Sequence, residues 1–412
     1  MKHKISLTRY LYFTNEVVLS LVDSVVNKKD LQQSIFWTSE YYYSGYKEET
    51  VQLLLKIYYD FYAIHYPTLE KFIIKKCRNW NEDSDIKHIL SILTNIVGKN
   101  ANYDVFVIRQ YYNTCPNIKL VFRGRTPKWI TDLDIDKKYH KLVRSIEKDC
   151  WGNICFYIRQ QIQENKSEKE LDKVLYEMYR VIIKFYKSKH QIEINDNDTC
   201  ERTWKTVTEI YKDKLHILFS LILHLSTNEK DIHVDKRKIY LAVDNGNVDY
   251  FKTTNHSELA LYRVLNDKRE YDVNQHTDFI SLFNLAQHQE KKYDSIPERN
   301  NIDLHILRNE WEYYAYDTPI WYERFQENNA IKDEKTMKIT FKTENDYENF
   351  YEKWNYEPDE QTLECQLRSC FPQKPLKQDL DETTPEVLSK ILLNHLYQDI
   401  DMSNNRKQLF NY

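Results

Sequence analysis

Five glycines in 412 residues leave this chain few ways to build a tight turn. Glycine ordinarily supplies about 7% of residues, because turns, bulges and phosphate-cradling loops need positive φ or a close backbone approach. A chain that has nearly given up those devices must end its elements by side-chain capping, and that favours helices. The same scarcity removes a large functional class. No two glycines lie within six residues of each other, so neither a Walker-type nor a Rossmann-type backbone cradle is present.

Helical periodicity fills the first hundred residues. Across residues 5–27, Leu7, Tyr10, Leu11, Val18, Leu21, Val22 and Val25 recur at three- and four-residue spacing, an amphipathic stripe. Asp30 predicts the cap of a second helix running to about Tyr43, with Gly45 as its C-terminal stop. A third extends from Glu48 to about Tyr66, turns Val51, Leu54, Leu55, Tyr58 and Tyr62 inward, and meets Pro67. Two more lie near 68–80 and 84–97, the second closed by Gly98. The run Val105-Phe106-Val107-Ile108 predicts a strand, and Pro116 and Pro127 punctuate the loop that follows. Helices resume near 137–163, 167–189 and 201–227.

Beyond 228 the texture changes. Ile239 to Val243, then Asn245-Gly246, then Val248 to Phe251 predicts a hairpin, since Asn-Gly suits a type I′ turn. Aromatic-rich helical spacing over Ile302 to Phe325 is interrupted by Pro319, and Met337 to Phe341 has strand character. Pro372, Pro375 and the acids Asp379 to Glu382 mark a linker before a last helix near 385–398. The expected fold is mainly α, with irregular bundle-like or solenoid-like N-terminal and middle parts and a smaller α+β C-terminal region. The expected divisions are a helical domain with a basic loop (1–131), a second helical domain (132–230) and the α+β region (231–412). No repeat of fixed length recurs.

Hydrophobic content of 41% is enough to bury real cores, and seven cysteines, an odd number, predict reduced thiols in a cytosol-like compartment. The basic start Met1-Lys2-His3-Lys4 is not followed by the uninterrupted apolar core of a signal peptide. The most apolar window, Leu215 to Leu225, falls short of the roughly 20 residues a membrane span needs. The expectation is a soluble, intracellular protein without a membrane span.

Candidate metal chemistry is sparse. Cys150/Cys155 and Cys365/Cys370 would make a four-thiolate zinc site only if both pairs sat on loops, because residues five apart on a helix diverge by over 100°. The bland reading is buried free thiols. Asp132, Asp134 and Asp136 would share one face of a strand, but they also suit a solvated turn ahead of a helix, where the dipole favours acids. His216 and His224 lie two turns apart, too far to share a metal along one helix. Pro358-Asp359-Glu360-Gln361 begins a metal-nuclease pattern that no lysine completes. The expectation is therefore no metal, no cofactor and no catalytic residue.

Recognition signals are better defined. Lys75, Lys76 and Arg78 with Trp80, and Arg123, Arg125 and Lys128 with Trp129, are compact basic clusters that each carry an indole. Such clusters grip phosphates while stacking a base, or dock an acidic partner, or form an ordinary solvated edge. The net charge of -4 supplies no global field for nucleic acid, which favours a protein partner and leaves nucleic acid as the alternative. Trp311, Tyr314 and Trp321 are the interface candidates in the densest aromatic stretch, with core packing the competing use.

Several strings together resemble an uncharacterised family of nucleocytoplasmic large DNA viruses, the giant-virus group. They are Ser39-Glu40-Tyr41-Tyr42-Tyr43-Ser44-Gly45, Ile57-Tyr58-Tyr59-Asp60-Phe61-Tyr62, Arg123-Gly124-Arg125 with Pro127-Lys128-Trp129, Glu310-Trp311 to Pro319-Ile320-Trp321, and Tyr356-Glu357-Pro358-Asp359-Glu360-Gln361. The resemblance implies a product made in the infected host cytoplasm, in the virus factory or the virion, and carries over no active-site residue. The function expected is a non-enzymatic interaction or scaffold protein. The alternatives are a nucleic-acid-binding accessory factor in viral transcription or translation, and an enzyme whose site is assembled from acids distant in sequence.

Overall fold

A computed structural model describes residues 6–9, 14–26, 31–81, 85–114, 126–163, 167–190, 197–227, 240–243 and 310–354. Of these residues 71% are helical, in 15 helices, with one two-stranded sheet. The fold is mainly α with a small α+β C-terminal region.

The first five helices come in the expected order: α1 (Thr14–Val26), α2 (Leu31–Tyr43), α3 (Lys47–Phe61), α4 (Thr68–Asn79) and α5 (Lys87–Ile96). The stripe expected from residue 5 is not helical over 6–9, and Asp30, the expected cap of α2, lies outside the described residues. Gly45 ends α2 at φ +97, its N–H bonded to Tyr42 O at 3.1 Å, the left-handed stop that glycine adopts without a steric penalty. Helix α3 stops short of the expected Tyr66. Tyr62 to Tyr66 form successive turns, as befits residues leading into Pro67, which disfavours helix in the residue before it.

The strand expected at Val105 to Ile108 is instead the start of α6 (Asp104–Thr114). All four residues are buried, so the run carries no alternation that would separate a strand from an all-round-buried helix. The deciding signal is polar. Asn102 Oδ1 accepts from the Asp104 N–H at 2.9 Å and supplies a partner for a free donor of the first turn.

After the short α7 (Lys128–Thr131) and a 3₁₀ turn (Lys137–Tyr139) come α8 (His140–Glu147), α9 (Trp151–Gln163), α10 (Glu168–His190), α11 (Asn197–Thr208) and α12 (Lys214–Ser226). Two expected long helices are thus each broken once. Asp149 takes φ +49 between α8 and α9, and Asp213 caps α12 by accepting from the His216 N–H at 3.0 Å. Tyr240 to Val243, the described part of the expected hairpin, are not in a strand; its Asn245-Gly246 turn, the linker and the last helix lie outside the described residues.

Buried side chains from Val17 to Leu223 form one continuous cluster, so residues on both sides of position 132 share a core. A second cluster belongs to α13 (Trp311–Ala315), α14 (Pro319–Glu327), an antiparallel pair β1 (Ala330–Asp333) and β2 (Lys338–Phe341), and α15 (Glu344–Trp354). Register pairs Ala330 with Phe341 and Lys332 with Ile339. Pro319 opens α14 at its first turn, where the missing N–H costs nothing.

The N-terminal strip 6–9 joins the two clusters. Leu7 packs into the second, while the Arg9 N–H donates to Ser44 Oγ at 2.9 Å and Arg9 Nε donates to the buried Glu40 carboxylate at 2.8 Å. From the other side Thr318 Oγ1 donates to Leu7 O at 2.7 Å, Trp321 Nε1 to Thr8 O at 2.9 Å, and the Ile320 N–H to Ser44 O at 3.3 Å. Pro319 rests directly on Gly45: a Cβ placed there would lie 2.5 Å from Pro319 Cβ.

Gly98 also has positive φ, +85, but nothing lies within 4 Å of its would-be Cβ. Gly98→Ala is expected to cost only backbone strain, about 1 kcal/mol. Gly45→Ala adds a clash at the joint, so we expect about 2–3 kcal/mol and faster proteolysis between the two clusters. Urea unfolding and limited proteolysis of both variants check this; equal costs would mean the Gly45–Pro319 contact is not tight.

Candidate functional site

The most unusual chemistry among the described residues is sealed inside the core. Asp60, near the end of α3, is 2% exposed, and its two oxygens accept from Arg109 Nε (2.9 Å) and Nη2 (2.8 Å) of α6. The planar guanidinium matches the carboxylate in a fork, the strongest form of such a pair. From α12, His216 places Nε2 2.8 Å from Asp60 Oδ1, off the line of a good hydrogen bond, and its Nδ1 lies 2.6 Å from the Tyr211 hydroxyl. A ring nitrogen beside a carboxylate carries the proton, so Nε2 is the protonated one and the Tyr211 O–H donates to Nδ1. Tyr59 stacks on Tyr211 at 5.0 Å and closes the group from α3.

Electrostatics set the charge states. Burial alone would raise the Asp60 carboxyl, but His216, Arg109 and Lys56 together hold it well below the usual carboxylate range. Burial pushes His216 below its ordinary value against the pull of Asp60, so the imidazole is neutral. Burial likewise lifts the Tyr211 hydroxyl far above 10, with Asp213 and Asp60 adding to it, and it keeps its proton. Carboxylate, imidazole and phenol in series have the parts of a proton relay. With Asp60, His216 and Tyr211 at 2%, 0% and 3% exposure, the arrangement acts as an electrostatic clamp on α3, α6 and α12.

The basic clusters sit elsewhere. Lys75 is exposed and Lys76 half-buried with its ammonium 5.6 Å above the Phe72 ring, while Arg78 pairs with Glu209 at 3.3 Å on the surface. Trp80 is half-buried, its Nε1 donating to Tyr42 Oη at 3.3 Å. In the other cluster Lys128 is exposed, and Trp129 packs against Phe185 with ring centres 5.7 Å apart. Arg123 and Arg125 lie outside the described residues. Both indoles therefore lean into the helical body. Trp311 and Trp321, expected as interface anchors, are 3% and 0% exposed and meet edge-to-face at 4.9 Å in the second core; Tyr314 is half-buried against it.

Among the described residues no three His, Cys, Asp or Glu side chains converge as metal ligands, and no helix is long and apolar enough to cross a membrane. Cys155 is buried and Cys150 half-buried; Cys365 and Cys370 lie outside the described residues. Asp136 caps the 3₁₀ turn by accepting from the Lys138 N–H at 3.0 Å, and Asp134 carries φ +50 and meets Lys184. His224 bonds the Ile64 carbonyl through Nδ1 at 2.8 Å.

Periodicity could not reveal the clamp, because its members are scattered over α3, α6 and the start of α12. A signal was available all the same. Asp60 and Arg109 each put a charged group into a strongly apolar run, and a buried charge requires a partner of opposite sign; His216 lies in the most apolar window, Leu215 to Leu225. Comparison with protein-family models, curated proteins and solved structures finds no match to this chain.

The clamp sets a pH dependence. A neutral buried His216 takes up no proton where the unfolded imidazole does, so stability falls as pH drops below about 6.5. The depressed Asp60 carboxyl contributes above the ordinary carboxylate value and is lost only at much lower pH. Between about pH 7.5 and about pH 5, His216 accounts for at most about 2 kcal/mol of that loss. We expect His216→Gln to be less stable than the parent at neutral pH yet to lose less on acidification, measured by urea unfolding at both values. An unchanged acid slope would contradict the neutral assignment.

Proposed function

We propose that this chain is a non-enzymatic interaction protein whose helical body presents a small C-terminal docking unit. One observation carries the reading. Of the four exposed large apolar side chains among the described residues, three stand on that unit: Tyr322 (49% exposed), Ile331 (60%) and Tyr347 (47%). Three cations on the same unit are paired at home, Lys332 with Asp317, Lys338 with Glu310 and Lys353 with Glu327. Exposed aromatic and aliphatic groups are the composition of a protein-binding surface. The fork of Asp60 and Arg109 supports the same reading, because it spends reactive groups on rigidity.

The resemblance to a giant-virus family supports a setting in the virus factory of the host cytoplasm or in the virion. Two of the strings that carry it, Ser39 to Gly45 and Pro319 to Trp321, meet in space at the joint between the clusters.

The test compares two sets of variants in co-purification from expressing cells, with bound protein and RNA both quantified. Ile331→Asp with Tyr347→Asp is expected to abolish recovery of the partner, while Lys75→Glu with Lys128→Glu leaves it unchanged. Loss of RNA in the lysine variant, with protein recovery intact in the other, would instead favour the nucleic-acid reading.

A further inference from the structure

A cavity of about 120 Å³ opens between α3, α4, α10, α11 and α12, with Tyr59 in its wall. Its walls include four aromatic rings in two touching pairs. Tyr58 and Tyr59 meet edge-to-face at 5.1 Å, and Tyr179 and Trp204 lie 4.8 Å apart at 39°. Exposed Thr203 stands on the rim, so the cavity is reached from outside. One carboxylate joins the rings: Glu70, on α4, accepts from the Tyr59 hydroxyl at 2.9 Å. Among the described residues no Lys, Arg or His nitrogen comes within ion-pair distance of it, and burial pushes its carboxyl above the ordinary value. A half-buried acid without a cation, in a cavity that four aromatic rings line, is an electrostatic vacancy for positive charge.

Size and hydrogen bonding narrow the occupant. An apolar cavity of roughly 150 Å³ holds one benzene, so this one holds one compact group. A primary ammonium brings three N–H donors that each need an acceptor. The hydroxyls of Tyr58 and Tyr59 donate to the Tyr66 carbonyl and to Glu70, so Glu70 is the one carboxylate in the lining to meet three N–H donors. A methylated ammonium has no such demand; it presents a diffuse positive charge on a methyl surface, which aromatic faces attract. We propose that this cavity binds a quaternary methylammonium group, with Tyr58, Tyr59, Tyr179 and Trp204 as the cage and Glu70 as the counter-charge.

Such a group reaches the cavity either on a small molecule such as choline or on a trimethylated lysine of another protein. Calorimetric titration of the full chain with tetramethylammonium, choline and the neutral choline isostere 3,3-dimethylbutan-1-ol tests the shared chemistry. Both cations are expected to saturate one site, with the isostere roughly ten-fold weaker or more, because it fills the same space without the charge. Glu70→Gln should bring cation and isostere closer together, and Trp204→Leu should weaken the cations. Equal affinity of choline and its isostere would overturn the proposal, and so would the absence of saturation by any cation. These wild-type comparisons stand even if a variant fails to fold. A trimethyllysine peptide titrated in parallel assigns the source, as tighter binding than choline points to a protein side chain and weaker binding to a small molecule.

Discussion

A carboxylate removed from water must be matched by charge and hydrogen bonds, and Asp60 forces that condition on the centre of this protein. The penalty for burying an ion is several kcal/mol, and Asp60 meets it by drawing Arg109 from α6 and His216 from α12 onto α3. Apolar side chains alone would let these helices slide or rotate with little penalty. A fork of two bonds and an adjacent imidazole fixes both rotation and height. Tyr211 and the Asp213 cap then hold the start of α12 where the ring of His216 can reach. The connection from α11 is tied to α3 as well, since Gln52 donates to Ile210 O at 2.7 Å and accepts from the Lys212 N–H at 3.2 Å.

The second dependency is geometric. With few glycines to spend, the chain places one at Gly45, where it both ends α2 and leaves room for Pro319. That contact lets strip 6–9 lie between the helical body and the C-terminal unit, bonded to each through backbone groups and the buried Arg9–Glu40 pair. Rigidity in the body and a seated unit are what a docking surface requires, since a preorganised surface loses little entropy on binding.

Helices were legible in the sequence because their stripes are long and regular. Leu54, Leu55 and Tyr58 point inward as their spacing requires, and Gly45 and Gly98 mark stops at positive φ. Val105 to Ile108 misled because a run buried on every side has no period, and the deciding cap, Asn102, is a single polar residue outside it. Asp149 and Asp213 broke helices that the apolar spacing alone would have continued. Trp80, Trp129, Trp311 and Trp321 drew notice as recognition groups, yet each packs inward, since a large indole surface gains most from burial. The cage and the clamp stayed hidden for one shared reason: Tyr58, Glu70, Tyr179 and Trp204, like Asp60, Arg109 and His216, meet only in three dimensions.

The claim that Asp60 and Arg109 act as one unit is tested most directly by a double-mutant cycle in urea unfolding at neutral pH. Asp60→Leu and Arg109→Met each strand a buried charge, and each alone should cost about 3–5 kcal/mol. Made together they leave no charge unmatched between them, so the double variant should recover most of that loss, with a coupling of at least about 2 kcal/mol. Costs that simply add would contradict the account, because they would show that the helices are held by packing alone.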